Sequence, residues 1–207
     1  MESIIIGAGG FAKEVLGFLQ EKNKTIKGFI SNEEGDIEGI PILGNDKILP
    51  ELIKQEKLEA YITIGKPSLR KKLLDYVISL GYETPNLIHK TSYISQKSNL
   101  GVGCIIYPGV VVNAYVEIGN GVLLNSNSSV GHETIIKDCV NINPNVSIAG
   151  KVKIGKCCYI GIGASIIEDL TIGQESIIGA GAVVINSIPE CVTAVGVPAK
   201  IIKKNKE

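Results

Sequence analysis

The sequence predicts a small α/β module followed by a parallel β-helix. Three observations carry this: a six-residue aliphatic period running from Ile94 to Val184, a glycine-rich turn directly after a short apolar strand at the N-terminus, and a scarcity of aromatic residues with no Trp. Every sixth residue from Ile94 through Leu100, Ile106, Val112 and onwards to Ile178 and Val184 is Ile, Leu or Val, sixteen positions without an exception. A period of six is neither helical nor that of a half-buried strand. It belongs to hexapeptide coils, in which each repeat supplies one short strand and one corner and three repeats close a triangle. Stacked coils then lie about 4.8 Å apart, the ordinary spacing of paired strands.

A second, smaller register falls four residues after each member of the first, at Cys104, Val110, Val116, Val122, Ser128, Thr134, Val140, Val146, Val152, Cys158 and Ala164. These side chains are expected to point inward beside a corner. Glycine often follows the first register, as at Gly101, Gly119, Gly131, Gly155, Gly161, Gly173 and Gly179. Glycine and asparagine are expected to suit the corners, where positive φ is cheapest. Past Val184 the period is expected to dissolve, through Ser187-Ile188-Pro189-Glu190 into a tail containing Gly196-Val197-Pro198-Ala199-Lys200 and a lysine-rich end.

Ahead of the β-helix, residues 1–90 read as a Rossmann-like module and residues 91–207 as the β-helix with its short tail. Ser3-Ile4-Ile5-Ile6 is a strand, and Gly7-Ala8-Gly9-Gly10-Phe11-Ala12 places glycines where a strand turns into a helix. Such a turn lets the backbone approach a phosphate at a helix N-terminus, and it also serves as a tight turn in any small α/β domain. Phe11, Val15, Phe18 and Leu19 give the following helix an apolar face. Lys27–Ile30 is a second strand, ending at Ser31-Asn32. The acids that follow, Glu33 and Glu34, come too late to read an NAD ribose in the usual way. Helices are expected over 46–54 and 68–80, a strand over Ala60–Ile64 ending at Gly65, and an extended segment at Asn86–His89. Arg70, the chain's single arginine, is expected on a solvated helix face or against a phosphate.

The formal net charge is +0, which argues against nucleic acid as a main partner. No apolar run is long enough to span a bilayer, and no signal peptide opens the chain. Five cysteines without metal or disulfide spacing read as reduced thiols of a cytoplasmic protein. The neighbours Cys157 and Cys158 are expected to face opposite ways on a strand. There are two histidines, His89 and His132. His132 falls at a corner between Gly131 and Glu133, where glycine lets a ligand approach and the carboxylate orients the imidazole. On spacing alone an exposed corner histidine is the favoured reading.

The glycine-rich module, the unbroken hexapeptide register and Gly196-Val197-Pro198-Ala199-Lys200 together resemble the sialic acid O-acetyltransferase (NeuD) family. Within it the resemblance leans to bacterial UDP-4-amino-sugar N-acetyltransferases. It spans essentially the whole chain, most specifically at Gly7–Gly10 with Gly65, at 86–90, at Ser128–Glu133 and at 149–155. It implies a left-handed β-helix, a homotrimer, acetyl-CoA as co-substrate, no metal, and a role in surface glycan synthesis. By motif matching, His132 is the general base and Glu133 its assistant. Gly9, Gly10, Phe11, Ser31, Asn32 and Gly65 contact the nucleotide-sugar, and Asn141, Gly150, Ile162 and Ala180 line the coenzyme A channel. Gly150 also offers its N–H to the developing oxyanion.

Three residues depart from the family pattern. Phe11 stands where many members have histidine, Ser31-Asn32 where an acidic pair is common, and Asn141 where a second histidine lies. A γ-class carbonic anhydrase needs three zinc-binding histidines, and the chain has two. A uridylyltransferase with a β-helix tail needs a much larger N-terminal domain. A sugar O-acetyltransferase and a non-catalytic nucleotide-binding scaffold remain as alternatives.

Overall fold

A computed structural model describes residues 1–205. The chain divides into two compact units, Met1–Leu87 and Ile88–Glu207. In the first, a five-stranded sheet is built from β1 (Glu2–Ile6), β2 (Ile26–Ile30), β3 (Asp36–Ile37), β4 (Ile40–Gly44) and β5 (Leu58–Ile62), in the order β3-β4-β2-β1-β5. The pairs β1–β2, β1–β5 and β2–β4 are parallel, while β3 runs antiparallel to β4. Helices α1 (Gly10–Glu21), α2 (Leu49–Gln55, after a 3₁₀ turn at Asp46–Ile48) and α3 (Pro67–Ser79) complete it. Ala12, Val15, Leu16 and Leu19 form the buried stripe of α1, at the spacing of a helix that covers a sheet on one side.

Three expectations for this unit need correction. The strand expected over Ala60–Ile64 runs over Leu58–Ile62 instead, and all five of its residues are buried. The module is not wholly parallel, because the segment after Ser31 folds back as the β3–β4 hairpin. Its two-residue turn, Glu38-Gly39, has positive φ at both positions, the twist that suits a tight hairpin. Arg70 is neither solvated nor free for a ligand: it is 2% exposed, and its Nη1 donates to the Ile64 carbonyl at 2.9 Å. It ties α3 to the end of β5.

A second buried polar group sits on β5. Glu59 accepts from the Ser3 hydroxyl, from Lys24 Nζ and from the Tyr61 hydroxyl. Burial pushes its carboxyl up, but the Lys24 and Ser3 hydrogen bonds, the Lys24 charge and Tyr61 together outweigh this and hold it below its ordinary value near 4.5. A carboxylate held low stabilises the fold while it is ionised. That contribution is present above about pH 4.5 and is lost as pH falls through the lower, folded value. Lys24→Met is therefore expected to cost stability at pH 7 and to flatten the acid limb of a pH–stability curve. Urea midpoints measured from pH 3 to pH 7 check both.

In the second unit sixteen two-residue strands, from Tyr93–Ile94 to Val183–Val184, form three parallel sheets. Each strand pairs with the one eighteen residues on, as Val111 with Ser129 and Glu117 with Ile135. This is a left-handed parallel β-helix. The second residue of each strand points inward and is buried at every repeat from Ile106 to Val184. The second register, from Cys104 to Ala164, is buried as well. In the first coil Ile94 and Leu100 are only half-buried, because no complete coil covers them.

The glycines of the first register do not supply positive φ. That conformation falls two residues later, on glycine and asparagine as expected at Gly103, Gly109, Gly121, Asn127, Asn145, Gly163 and Gly181, and also on Tyr115, Glu133, Cys139 and Lys151, where φ lies between 54° and 70°. Gly131, Gly155, Gly161 and Gly179 are instead places of close approach between coils. A β-carbon on Gly161 would stand 2.6 Å from the Ala180 nitrogen one coil away. Cys157 lies at such a corner, with φ 56°, so the Cys157–Cys158 pair is not on a strand. Nor does the solenoid end at Val184. Ile188 pairs with Ile172, and Val192–Val195 pairs with the Ile177–Ile178 strand, Ile178 lying opposite Ala194. Both pairings join residues sixteen apart, so the last coil is two residues short and carries no hexapeptide period. Val192–Val195 then pairs antiparallel with Lys200–Lys204, whose residues are all exposed.

One inner position is unsatisfied. Ser128 is fully buried, and its hydroxyl has no hydrogen-bond partner among the described residues. Its counterparts one coil either way are Val110 and Val146, both buried. Removing an unpaired buried hydroxyl recovers its desolvation cost, so Ser128→Ala should stabilise the protein by about 1 kcal/mol. A thermal or urea melt showing no gain would mean the hydroxyl finds a partner.

Candidate active site

His132 and Glu133 occupy one corner between the strands Ser129–Val130 and Ile135–Ile136. The corner is held from both sides. Glu133 N–H donates to the Ala114 carbonyl one coil before, at 3.1 Å, and Lys151 N–H donates to the His132 carbonyl from one coil after, at 2.8 Å. Ala114–Tyr115, His132–Glu133, Gly150–Lys151 and Glu168–Asp169 are thereby stacked along one edge of the helix. His132 Nδ1 lies 2.9 Å from Glu133 Oε2. A carboxylate only accepts, so Nδ1 carries the proton and Nε2 keeps its lone pair. That is the tautomer a general base requires.

The imidazole lies directly over Gly150. A β-carbon there would stand 2.7 Å from both Cε1 and Nε2, so no other residue leaves the ring its place. The Gly150 N–H donates to no group among the described residues, while its carbonyl accepts from Asp169 at 3.1 Å. A base with a lone pair and an unengaged backbone donor thus share one corner stack. This arrangement suits an acyl transfer, which needs a proton acceptor and a partner for a developing oxyanion. The His132 and Glu133 side chains are 61% and 50% exposed. An ion pair so open to water adds little stability, so its role is to orient the ring.

The other residues expected to line the coenzyme A channel are elsewhere on the chain. Ile162 and Ala180 are stacked on a different edge, linked by the Gly181 N–H to the Ile162 carbonyl at 2.8 Å, and Ile162 is 55% exposed. A full face of the coil separates them from His132. Asn141 is 2% exposed in the strand Asn141–Ile142, on a third side of the triangle from the His132 corner. Within one protomer only Gly150 joins His132 and Glu133.

The N-terminal unit holds a cleft of about 230 Å³ at the carboxyl ends of its parallel strands. This is where open α/β sheets bind ligands. Ser31 and Asn32 line it after β2, with Gly7 after β1, and Ile64 lies beside Gly65. Gly9, Gly10 and Phe11 do not line it. Gly9 caps α1, and a β-carbon on Gly9 or Gly10 would meet nothing within 4 Å, so neither glycine is required by packing. Gly7 is required: its φ is 122°, and a β-carbon would stand 2.6 Å from Thr63 Oγ1. The first turn of α1 has no acidic residue, and its cap residue Gly9 makes no side-chain cap hydrogen bond.

Asn45 and Asp46 also line the cleft, and sequence reasoning missed them. The signal was the Glu38-Gly39 hairpin turn, which brings the end of β4 beside the end of β2. Asp46, at the start of the 3₁₀ turn that follows β4, thus brings a carboxylate to the cleft. Among the described residues, no three His, Cys, Asp or Glu side chains gather to hold a metal ion.

A left-handed β-helix with a histidine–carboxylate corner, joined to a parallel α/β module, defines a hexapeptide-repeat transferase. Residues 3–77 match the PglD N-terminal domain model, and residues 151–186 match the bacterial transferase hexapeptide (six repeats) model. A histidine-to-asparagine variant of perosamine N-acetyltransferase from Caulobacter crescentus, solved with CoA and GDP-perosamine, shares 33% identity. The match covers 99% of this chain and 98% of that one, at a TM-score of 0.95. The acetyltransferase domain of PglB from Neisseria gonorrhoeae, solved with acetyl coenzyme A, shares 28% identity over 97% of this chain and 98% of its own, at 0.91. WeeI from Acinetobacter baumannii shares 29% over 98% and 100%, at 0.88. The chain belongs to the NeuD-like family of hexapeptide-repeat sugar acetyltransferases.

Proposed function

We propose that the protein transfers the acetyl group of acetyl-CoA to the amine of a nucleotide-linked amino sugar, a step in surface glycan biosynthesis. The observation that carries this reading is the His132–Glu133 pair seated over Gly150. The amine nitrogen attacks the thioester carbonyl, forming the C–N bond, while Nε2 of His132 takes the amine proton. Glu133, on Nδ1, steadies the imidazolium that results. The Gly150 N–H is the donor for the carbonyl oxygen as it gains charge. When the C–S bond breaks, the imidazolium returns its proton to the departing thiolate, so the histidine ends as it began. Glutamine or asparagine in place of Glu133 leaves a hydrogen bond to Nδ1 but no charge to balance the imidazolium.

The N-terminal cleft, lined by Ser31, Asn32, Asn45 and Asp46 and neighboured by Gly65, is the nucleotide site in this reading. Gly9, Gly10 and Phe11 contribute through the N-terminal turn of α1. The active form is a homotrimer. Two observations support it: His132 is open to water in one protomer, where acyl transfer is better served by a dry site, and Ile162, Ala180 and Asn141 are on other sides of the coil. Packing around a threefold axis supplies them from a neighbour. A monomer by light scattering at assay concentration would rule this out. All five cysteines are free, which supports a reducing, cytoplasmic setting. Among the described residues no helix is long and apolar enough to cross a membrane.

The test is acetyl-CoA-dependent thiol release against UDP-, GDP- and dTDP-linked 4-amino sugars, with free sialic acid included. Turnover of an amino sugar is the expected result. Turnover of a hydroxyl acceptor alone would make the protein an O-acetyltransferase, and a complete lack of turnover with no acetyl-CoA binding would leave only a scaffold.

A further inference from the structure

The edge that carries His132 is uneven. On one side the ring covers Gly150; on the other the equivalent position is Ala114, also small, and the residue beside it is Tyr115. Tyr115 takes the same corner position as Glu133, one coil earlier, so the two backbones are about 4.8 Å apart along the helix. The ring is 58% exposed, yet it is held in place: Lys97 Nζ lies 3.2 Å from its hydroxyl and 5.3 Å from its ring centroid. Its φ of 62° is one that bulky residues rarely adopt, whereas other corners use Asn127 and Asn145, each at 58°. Packing within one protomer explains neither the aromatic ring nor its exposure.

We propose that Tyr115 is a specificity-determining residue for the acceptor, its ring forming a platform for the C–H face of the hexose whose amine reaches His132. This rests on the acetyltransferase reading. An anchored, exposed ring suits a sugar because pyranose C–H groups carry slight positive charge and meet the electron-rich face of an aromatic. Lys97 fixes the hydroxyl and so holds the ring in one orientation. Such a contact forms equally in ground and transition states, so it acts on acceptor binding and not on the chemical step.

The experiment compares wild type with Tyr115→Asn and Tyr115→Phe, using GDP-perosamine and the UDP- and dTDP-linked 4-amino sugars as acceptors. Asparagine suits the corner's positive φ, so the coil should fold as before, and thermal melts check this. The expected result for Tyr115→Asn is an acceptor KM raised about tenfold, with the KM for acetyl-CoA and kcat both within about twofold. Tyr115→Phe, which keeps the ring, should stay within about threefold of wild type. An unchanged acceptor KM in Tyr115→Asn, or a rise confined to acetyl-CoA, would overturn the platform while leaving the acetyltransferase reading intact. Wild type inactive on every acceptor would overturn both.

Discussion

Replacing His132 with alanine should lower kcat by roughly 10²–10⁴ while leaving the fold and its assembly unchanged. The size follows from the role: a positioned base that takes a proton in the transition state contributes about that much. The structural silence follows from exposure. The imidazole contacts the Gly150 backbone and the Glu133 carboxylate but fills no part of the aliphatic column. The KM for acetyl-CoA should move little. The check is steady-state kinetics at saturating co-substrate beside a thermal melt. A fully active variant with a native melt would remove His132 as the base, and with it the chemical role of Glu133.

Gly150→Ala should cost roughly 10² in kcat, a loss comparable to misplacing a catalytic group by about 1 Å. The added methyl would sit 2.7 Å from Cε1 and Nε2, so the ring must leave its position over the corner. The backbone itself tolerates the change, because Gly150 is not among the residues with positive φ. A methyl at this corner touches the ring and not the inner column, so stability should fall by well under the 2–5 kcal/mol typical of a core truncation. Loss of activity with a preserved melt would separate displacement of the base from general damage. An enzyme with native kcat would mean that the ring's seat over Gly150 has no part in catalysis.

How legible these features were differs by level. The inner column could be read at every repeat because an aliphatic side chain that must be buried leaves a periodic mark. The strands lie where that mark places them. The corners were harder. Glycine at the next position marks where neighbouring coils touch, and this is easily mistaken for a conformational requirement. Positive φ falls two residues later, on residues that suit it such as Gly121 and Asn127, but also on Glu133, Lys151 and Cys139, residue types that do not announce it. There the inter-coil hydrogen bonds, such as Glu133 N–H to Ala114 and Lys151 N–H to His132, impose the conformation against a cost of about 1–2 kcal/mol per residue.

The corner position of His132 and the neighbouring Glu133 were legible from spacing. The seat over Gly150 was not, since it joins residues eighteen apart through stacking alone. Asp46 escaped for a related reason: the strand before it, β4, pairs through a hairpin turn whose only outward sign is Glu38-Gly39. Arg70 was misread because a single charged residue on an amphipathic helix gives no sign of the carbonyl that receives it. Burial of such a group depends on the Ile64 carbonyl, which the pattern of apolar residues does not place.

The central claim is that an acetyl group passes from sulfur to a sugar nitrogen at the His132 corner. Acetyl-CoA labelled with carbon-13 at the thioester carbonyl, incubated with the protein and the panel of nucleotide-linked 4-amino sugars, tests it by NMR of the product. The expected spectrum shows the label in an amide attached to the sugar, formed by wild type and lost with His132→Ala. Label found in a sugar ester, in free acetate alone, or in an amide formed as fast by the His132→Ala protein would contradict it.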